Sequence, residues 1–421
     1  MCEITFLLSK IRLLIGKFVI SHLLVSKGQN TNISILDMKQ IKMVDLNGQY
    51  EAIKTEVDQG IEEVFTTTAF INGPKVHEFQ KSLETYLDVK HVIPCANGTD
   101  ALQIAMMGLG LKSGDEVITA DFTFAATVEV IALLGLTPVL VDVDEDTFNI
   151  NVDAISKAIT SKTKAIVPVH LFGMCSNMDA IMELAQKHNL FVIEDNAQAI
   201  GATYTRNTGE KKMAGTMGHV AATSFFPSKN LGAYGDGGAI FTNDDELAHT
   251  IRGIVNHGMY VRYHHDVVGV NSRLDTIQAV VLQAKLPHLD TYNAKRRQAA
   301  KAYNRAFSNH PNIELPAMSN GCQAICEQCD CHVFHQYTLK IKGVDRDALV
   351  AHLQKHNIPC GVYYPIPLHR QKAYADSRYN EADFPVTNRL SNEVLSLPMH
   401  TELDQEQIDF IAKTILDFIN G

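Results

Sequence analysis

The chain lacks several features that would place it in a common functional class. Its 421 residues include 37 lysines and arginines against 47 aspartates and glutamates, a net charge of −10, and no basic block. This excludes a nucleic-acid footprint, and the acidic balance favours solubility without naming a partner. No G-x-x-x-x-G-K-[ST] loop, H-E-x-x-H pair, internal repeat or low-complexity stretch is present. "GLGLKSG" near Gly108 follows a predicted helix, not a strand, which excludes a dinucleotide fingerprint.

Long hydrophobic runs are also scarce, apart from one stretch near the start. "KIRLLIGKFVISHLLVSKG" resembles the apolar part of a signal peptide, but Lys17 and His22 interrupt it and no small-residue cleavage site follows. It is too short and too charged for a membrane span. We therefore expect residues 1–42 to be a leader or an upstream-start extension, with a membrane anchor as the alternative. No membrane partner is expected.

The eight cysteines do not suggest a disulfide framework. Without a convincing signal peptide, a reducing cytoplasm is the expected compartment. Four of them lie within ten residues, and the first three have C-x-x-x-C-x-x-C spacing. A metal site, zinc being simplest, is one interpretation of this cluster, and a solvent-exposed variable loop is the other. We favour the loop and predict no metal. The clustered residues are Cys322, Cys326, Cys329 and Cys331.

From about residue 90, short apolar runs alternate with helical periodicity. Strands are predicted at "HVIPCAN", "DEVITA", "TPVLVDV", "TKAIVPVH" and "LFVIED", with helices of about ten residues between them. "VAATSFF" and "GAIFTN" follow as two more strands. Such alternation indicates an α/β fold with a mostly parallel sheet covered on both faces.

The chain is predicted to form two domains. The large α/β domain, with an N-terminal arm, covers residues 43–290. A long helix from Thr276 is broken by Pro287 and leads into a smaller α+β domain at residues 291–421. In that domain, strands are predicted at "HQYTLKIK" and "CGVYYPI", together with two amphipathic helices.

Two candidate binding features follow the first and second predicted strands of the large α/β domain. Gly98 and Thr99 come directly before a helix, where free N–H groups and the helix dipole favour a phosphate. An ordinary helix N-cap by Thr99 is an equally good interpretation. Phe124 follows "DEVITA" at a helix start and could stack on a planar ligand, although taken alone a core phenylalanine is the simpler interpretation.

Two charged residues follow later strands. Asp195 ends "LFVIED" and is costly to bury without a cation, either a protonated pyridine nitrogen or a lysine or arginine elsewhere in the chain. Ser224 ends the next strand, and Lys229 follows among aromatics and glycines. A lysine desolvated there should have a lowered pKa and attack aldehydes, whereas a structural lysine is the commoner case. Together, the phosphate seat, stacking ring, acid and amine describe pyridoxal 5′-phosphate.

These motifs resemble those of the nucleotide-sugar aminotransferases of the DegT/DnrJ group, which are fold-type-I pyridoxal phosphate enzymes. The resemblance runs from Met43 to the C-terminus and rests on "NGTDAL", "DFTFAAT", "VIEDNAQAIG", "SFFPSKNLGAYGDGGA" and "VGVNSRLD" in that order. It implies a role for each cofactor residue. Gly98, Thr99 and Ser224 contact the phosphate, Phe124 stacks on the ring, Asp195 pairs with the ring nitrogen, Gln198 lies near the ring oxygen, and Lys229 binds the cofactor covalently.

The resemblance also implies the reaction and the assembly. Glutamate donates the amino group to a nucleotide-linked keto sugar with ping-pong kinetics, and Lys229 and Asp195 are the catalytic residues. The family is dimeric, and Asn271 matches a residue that reaches the partner subunit's phosphate. A related branch of sugar dehydratases has histidine in place of the lysine, so Lys229 argues against dehydration. A cofactor-binding sensor without turnover is the alternative from another functional class.

The sugar is the least constrained part of this prediction. "RYHHDVVGVNSRLDT", "YYPIPLHRQKAY" and "LSLPMH" look most like members that aminate carbon 3 of UDP-2-acetamido-2-deoxy-3-oxo-glucuronate for surface polysaccharides such as lipopolysaccharide. Arg273, His264 and His265 would then help to bind a carboxylate or diphosphate, and His369 would line the substrate pocket. An equally good interpretation is that Arg273 pairs within its own chain and that His264 and His265 line the subunit interface. The alternative substrate is a dTDP-3-oxo-6-deoxyhexose.

Overall fold

A computed structural model describes residues 39–318 and 330–421, and Ile41–Gly421 form one compact unit. The predictions for residues 1–37 and for Cys322, Cys326 and Cys329 lie outside the described residues. Within the described ranges, no helix is long and apolar enough to cross a membrane, and no cluster of three or more potential ligands could hold a metal.

Strands and helices alternate through the first three-quarters of the described chain, as the sequence pattern predicts. The helices of this part are α1 (Leu46–Thr67), α2 (Pro74–Leu87), α3 (Gly98–Gly108), α4 (Ala126–Leu133), α5 (Val152–Ala158), α6 (Met178–His188), α7 (Asp245–Ile254) and α8 (Thr276–Lys285). The strands are β1 (His91–Cys95), β2 (Glu116–Ala120), β3 (Thr137–Val141), β4 (Thr163–Val167), β5 (Phe191–Asp195), β6 (Thr203–Thr205), β7 (Lys211–Met213), β8 (Val220–Ser224), β9 (Gly238–Thr242), β10 (Met259–Val261) and β11 (His264–His265).

A seven-stranded sheet with the order β1-β9-β8-β5-β4-β2-β3 forms the centre of the molecule. β9 pairs antiparallel with both of its neighbours, and the other pairs are parallel. The mostly parallel sheet is thus confirmed. Its strands are buried on both faces because helices cover both, which explains why they read as continuous apolar runs rather than as alternating patterns. The parallel strands direct their carboxyl ends to one edge.

The C-terminal part begins where proline interrupts the long helix. After α8, a 3₁₀ turn at Leu286–His288 leads into α9 (Leu289–Ala306), because Pro287 has no N–H to continue the α-helical ladder. A three-stranded antiparallel sheet follows, packed with three helices. These elements are β12 (Ile313–Glu314), β13 (Tyr337–Ile341), α10 (Arg346–Lys355), α11 (Pro385–Glu393), β14 (Val394–Leu397) and α12 (Gln405–Asn420).

One predicted strand of this part is wrong. "CGVYYPI" is not a strand, and only Gly361 pairs, through two hydrogen bonds with Ser396. Pro365 and Pro367 lack the N–H groups that a longer ladder needs. "HQYTLKIK" is confirmed as β13. The domain boundary at residues 290 and 291 falls at the start of α9 and stays a prediction.

Candidate active site

A cavity of about 860 Å³ opens at the carboxyl ends of β1, β2, β5 and β8. This is the edge at which open parallel sheets bind their ligands. Seven residues that the sequence singles out as cofactor contacts come together in its lining, although they are spread over 130 positions of the chain. They are Gly98, Thr99, Phe124, Asp195, Gln198, Ser224 and Lys229.

The start of α3 forms one end of the cavity. Asn97 caps this helix, because its Oδ1 accepts a hydrogen bond of 2.8 Å from the Asp100 N–H. The alternative cap by Thr99 is therefore wrong. Gly98 lies so close to the end of β8 that an added Cβ would come within 2.6 Å of Ser224 Cβ. The helix N-terminus and the serine hydroxyl thus lie side by side, an arrangement that suits an anion.

Asp195 lies at the end of β5 and is 5% exposed. Its Oδ2 accepts a hydrogen bond of 2.8 Å from Thr127 Oγ1, and its Oδ1 accepts one of 3.1 Å from the Ala197 N–H. Burial raises the pKa of its carboxyl group. Within the described residues Asp195 forms no salt bridge, although the charge of Lys229 lowers its pKa in part. The carboxylate lines the cavity.

Lys229 lies in the turn between β8 and β9. Burial lowers its pKa to about 8, although the negative charge of Asp195 opposes this shift. The side chain is largely buried, and the part that stays exposed lines the cavity. Lys285 on α8 stabilises the turn by donating a 2.7 Å hydrogen bond to the Gly232 carbonyl, and its ammonium lies 4.4 Å from the Tyr234 ring centre.

An aromatic wall faces these charged groups. Phe124 is 58% exposed, an unusual fraction for a phenylalanine beside a core, and its ring centre lies 6.3 Å from that of Tyr364. Gln198 connects the wall to the sheet edge. Its Oε1 accepts a 2.7 Å hydrogen bond from the Phe172 N–H, and its Nε2 donates one of 3.3 Å to the Tyr364 hydroxyl.

Several lining residues were missed from the sequence. His335, Gln336, Tyr363 and Tyr364 come from segments more than 130 residues after Asp195. Thr127 in α4, which does not line the cavity but holds Asp195, was missed as well. They lie outside the strand ends on which the prediction relied. The one available signal was the density of histidine and tyrosine in "HVFHQY" and "CGVYYPI".

The predicted substrate residues do not line this cavity. His264 and His265 are exposed in β11, and His265 Nδ1 lies 2.8 Å from the His257 carbonyl oxygen. Arg273 is half-buried, and its Nη1 donates a 3.3 Å hydrogen bond to Asn256 Oδ1. Asn271 is exposed and forms an isolated bridge with the same asparagine.

His369 is buried against the loop after β2. Its Nδ1 lies 2.6 Å from Asp121 Oδ2, its N–H donates a 2.7 Å hydrogen bond to Asp121 Oδ1, and its ring stacks on Phe384. Asp121 precedes Phe124 by three residues. His369 therefore fastens the segment after Tyr364 to the loop that carries Phe124.

The model of the DegT/DnrJ/EryC1/StrS aminotransferase family matches residues 51–416, and the chain belongs to this family. A pleiotropic regulatory protein of Geobacillus stearothermophilus is 45% identical over 380 residues, which cover 90% of this chain and 98% of that one. UDP-2-acetamido-2-deoxy-3-oxo-D-glucuronate aminotransferase of Pseudomonas aeruginosa is 45% identical over 375 residues, covering 89% and 99%.

Two further comparisons agree with this assignment. A UDP-N-acetyl-3-dehydro-α-D-glucosamine 3-aminotransferase of Acidithiobacillus ferrooxidans is 43% identical over 381 residues, which cover 90% of this chain and 98% of that one. The crystal structure of a DegT/DnrJ/EryC1/StrS aminotransferase from Brucella abortus superposes with a TM-score of 0.83 at 41% identity, covering 90% and 99%. The chain is thus a pyridoxal phosphate-dependent sugar aminotransferase with the fold-type-I architecture.

The cavity fits this cofactor on structural grounds. A buried carboxylate without a cationic partner, Asp195, suits a protonated pyridine nitrogen. The exposed Phe124 ring suits a planar ligand. The N-terminus of α3 at Gly98, which has no room for a side chain beside Ser224, suits a phosphate. Thr123 Oγ1 is buried without a hydrogen-bond partner, which leaves one polar group available to a ligand.

Proposed function

We propose that this aminotransferase moves the amino group of glutamate to carbon 3 of UDP-2-acetamido-2-deoxy-3-oxo-glucuronate, a step in the biosynthesis of lipopolysaccharide or another surface polysaccharide. The observation that carries the proposal is the relative in Pseudomonas aeruginosa named for this substrate, which is 45% identical with 99% of its length covered. The motifs "RYHHDVVGVNSRLDT" and "YYPIPLHRQKAY", which resemble those of members that act on this sugar, agree with it.

Lys229 is the catalytic base in this proposal. Bound pyridoxal phosphate supplies an aldehyde that takes up amines and a ring that accepts the electron pair of a deprotonated carbon. With a pKa of about 8, Lys229 Nζ is partly uncharged near neutral pH, so it can take a proton from the α-carbon of glutamate and return it elsewhere. An ordinary surface lysine would hold its proton too tightly for this task.

Asp195 controls the electronics of the reaction. Its carboxylate is fixed by Thr127 and by the backbone at Ala197, so one oxygen edge points to the cavity without moving. A protonated ring nitrogen there would offset the cost of burying this charge. Gln198 and Tyr364 form a hydrogen-bonded pair at the other side of the site, where they would orient the ring oxygen and the substrate.

The charge of the cavity supports a homodimer with shared sites. Among the described lining residues, Asp100, Glu129, Asp195 and Asp236 are carboxylates, and Lys229 is the one lysine or arginine. The cofactor phosphate, the sugar diphosphate and a uronate carboxylate are all anions. Additional cations must reach them from outside the cavity of one chain, because uncompensated anions repel one another in a site of low dielectric.

The surface around β10 and β11 suits such an assembly. Val261, Tyr263 and Val268 are 61%, 75% and 85% exposed, and Asn271 and Arg273 follow them within a few positions of the sequence. Clustered exposed apolar side chains are typical of protein interfaces. We propose that this surface contacts a second copy of the chain and that Asn271, Arg273, His264 and His265 complete the partner's site. The compartment is proposed to be the cytoplasm.

Two other sugars compete with the proposed substrate. UDP-N-acetyl-3-oxo-glucosamine differs by carrying a hydroxymethyl group in place of the carboxylate, and a dTDP-3-oxo-6-deoxyhexose lacks the carboxylate as well. An arginine is well suited to a carboxylate, because its planar fork can donate two hydrogen bonds. Arg273 has only a neutral hydrogen-bond partner within the described residues, so it keeps the capacity to bind one.

A comparison of kcat/KM between the candidate sugars tests this assignment. Purified enzyme with pyridoxal phosphate and glutamate should aminate the uronate with a kcat/KM at least about tenfold above that of UDP-N-acetyl-3-oxo-glucosamine, since a charge-assisted hydrogen bond contributes this much. Arg273→Ala should remove the preference for the uronate. Arg305→Ala, a control in α9 and 32 positions after Arg273, should keep that preference. Equal kcat/KM values in the wild type, or a preference for the dTDP sugar, would refute the substrate but leave the aminotransferase intact.

A further inference from the structure

The turn that carries Lys229 is folded back on itself. The Lys229 N–H donates a 2.8 Å hydrogen bond to the Phe226 carbonyl. Beyond the lysine, Gly232 lies so close to Pro227 that an added Cβ would come within 2.3 Å of the Pro227 carbonyl oxygen. The backbone before Lys229 is thus packed against the backbone after it, so that a displacement of one side displaces the other.

One face of α8 binds the backbone of this turn. Gln278 and Lys285 are seven residues apart, which places them on the same side of the helix. Gln278 Oε1 accepts a 2.9 Å hydrogen bond from the Tyr234 N–H, and an added Cβ at Gly235 would come within 2.8 Å of Gln278 Nε2. Lys285 Nζ donates its 2.7 Å hydrogen bond to the Gly232 carbonyl. The glycines of the turn therefore allow the side chains of α8 to approach it closely.

Lys285 is a costly residue at this position unless its ammonium has a task. It is 1% exposed, and burial lowers its pKa to about 8. Within the described part of the chain it forms no salt bridge, so no carboxylate offsets the removal of its charge from water. An apolar side chain such as methionine would not carry this cost. What the ammonium adds is its hydrogen bond to Gly232 and its place over the Tyr234 ring.

We propose that Gln278 and Lys285 are positioning residues for Lys229: by binding the backbone that follows the lysine, they hold its amine at the cavity and largely out of water. The proposal rests on the role of Lys229 in the proposed function. Among the described residues, neither Gln278 nor Lys285 lines the cavity, so both act through the turn. An amine held in this way stays at a fixed distance from the carbon whose proton it moves.

Two substitutions release the turn from α8 in different ways. Lys285→Met removes the donor to Gly232 together with a positive charge. Gln278→Met removes the acceptor for the Tyr234 N–H and changes no charge. Lys301→Met, at an exposed position of α9, is the matched control and should behave as the wild type in both measurements below.

Lysine NMR of the apoenzyme provides a readout that does not depend on activity. In protein labelled with ¹³C-lysine, the resonance that is missing in Lys229→Ala should titrate with a pKa of about 8. In Lys285→Met and in Gln278→Met this pKa should rise towards the ordinary lysine value, because a displaced turn exposes the amine to water. An unchanged pKa in either variant would overturn the proposal. A rise in Lys285→Met alone would report the loss of a nearby cation and not a displaced turn.

Single-turnover kinetics of the glutamate half-reaction provide the second readout. At saturating glutamate, each variant should lower the rate constant by a factor on the order of 10 to 10², the effect of misplacing a reacting group by about 1 Å. A purely structural role would lower the amplitude, which reports the amount of folded enzyme, and leave the rate constant unchanged. That result would overturn the proposal. A wild type without this half-reaction would refute the proposed function instead, while the NMR of the apoenzyme would still decide the positioning role.

Discussion

Asp195 is buried without a salt bridge among the described residues, and the charge of Lys229 only partly offsets the effect of its burial on the pKa. Its two described hydrogen-bond partners, Thr127 and the Ala197 N–H, are neutral donors, and burial raises its pKa. A carboxylate placed in this way is destabilised as an anion until a positive group arrives. We propose that the protonated ring nitrogen of the cofactor provides that group, so that the placement of this residue serves function rather than stability.

Substitutions at this carboxylate should therefore affect catalysis more than folding. Asp195→Asn removes the charge with little change of shape and should lower kcat by a factor on the order of 10²–10³, the usual effect of losing one preorganised electrostatic partner. Thr127→Val keeps the charge and removes one hydrogen bond, so about a tenfold loss is expected. Steady-state kinetics with glutamate measure both.

The thermal stability of the two apoenzymes serves as the control. Asp195→Asn should melt at or above the wild-type temperature, because it removes a buried charge that lacks a cationic partner. A strongly destabilised Asp195→Asn apoenzyme, or one with unchanged kcat, would contradict the role assigned to this carboxylate.

At the scale of elements, the strands of the large sheet and the residues at their ends could be predicted from sequence. Buried parallel strands appear as short apolar runs, and their carboxyl ends converge at one edge, so the sequence pattern alone groups Gly98, Asp195 and Ser224. The antiparallel direction of β9 left no such signal, because strand direction is not encoded in hydrophobic periodicity.

The remaining part of the site depends on long-range packing. His335 and Tyr364 lie on irregular segments whose position is set by contacts with distant elements, such as the hydrogen bonds from Gln198 to Tyr364 and between His335 and Asn230. No local pattern predicts these contacts. For the same reason "CGVYYPI" was mistaken for a strand: its composition favours strands, but Pro365, the following Pro367 and its place beside the cavity decide otherwise.

At the scale of the whole molecule, the described residues that line the cavity include one lysine and no arginine, which we propose are too few cations for the anionic ligands. If the partner completes each site, two inactive variants should restore activity when combined. Lys229→Ala lacks the amine that we propose to be catalytic, and a double variant with Asn271→Ala and Arg273→Ala lacks the groups proposed to act across the interface. A mixed dimer of the two would contain one intact site.

Coexpression with two different affinity tags tests this prediction. An equal mixture should recover about a quarter of the wild-type activity, since half of the dimers are mixed and each has one working site of two. Each variant alone should be nearly inactive. The control is a mixture of the two separately purified variants under conditions without subunit exchange. Because no mixed dimers form there, this mixture should stay nearly inactive. An isolated mixed dimer with no activity would refute shared sites.

One titration tests most directly whether Lys229 holds pyridoxal phosphate and passes an amino group from glutamate to a keto sugar. The visible spectrum of the reconstituted enzyme is recorded alone, with glutamate, and then with UDP-2-acetamido-2-deoxy-3-oxo-glucuronate. We predict a band of lysine-bound cofactor that disappears with glutamate and returns with the sugar, and that is absent in Lys229→Ala from the start. A wild-type enzyme that shows no such band after reconstitution, or a band that glutamate does not change, would contradict the central claim.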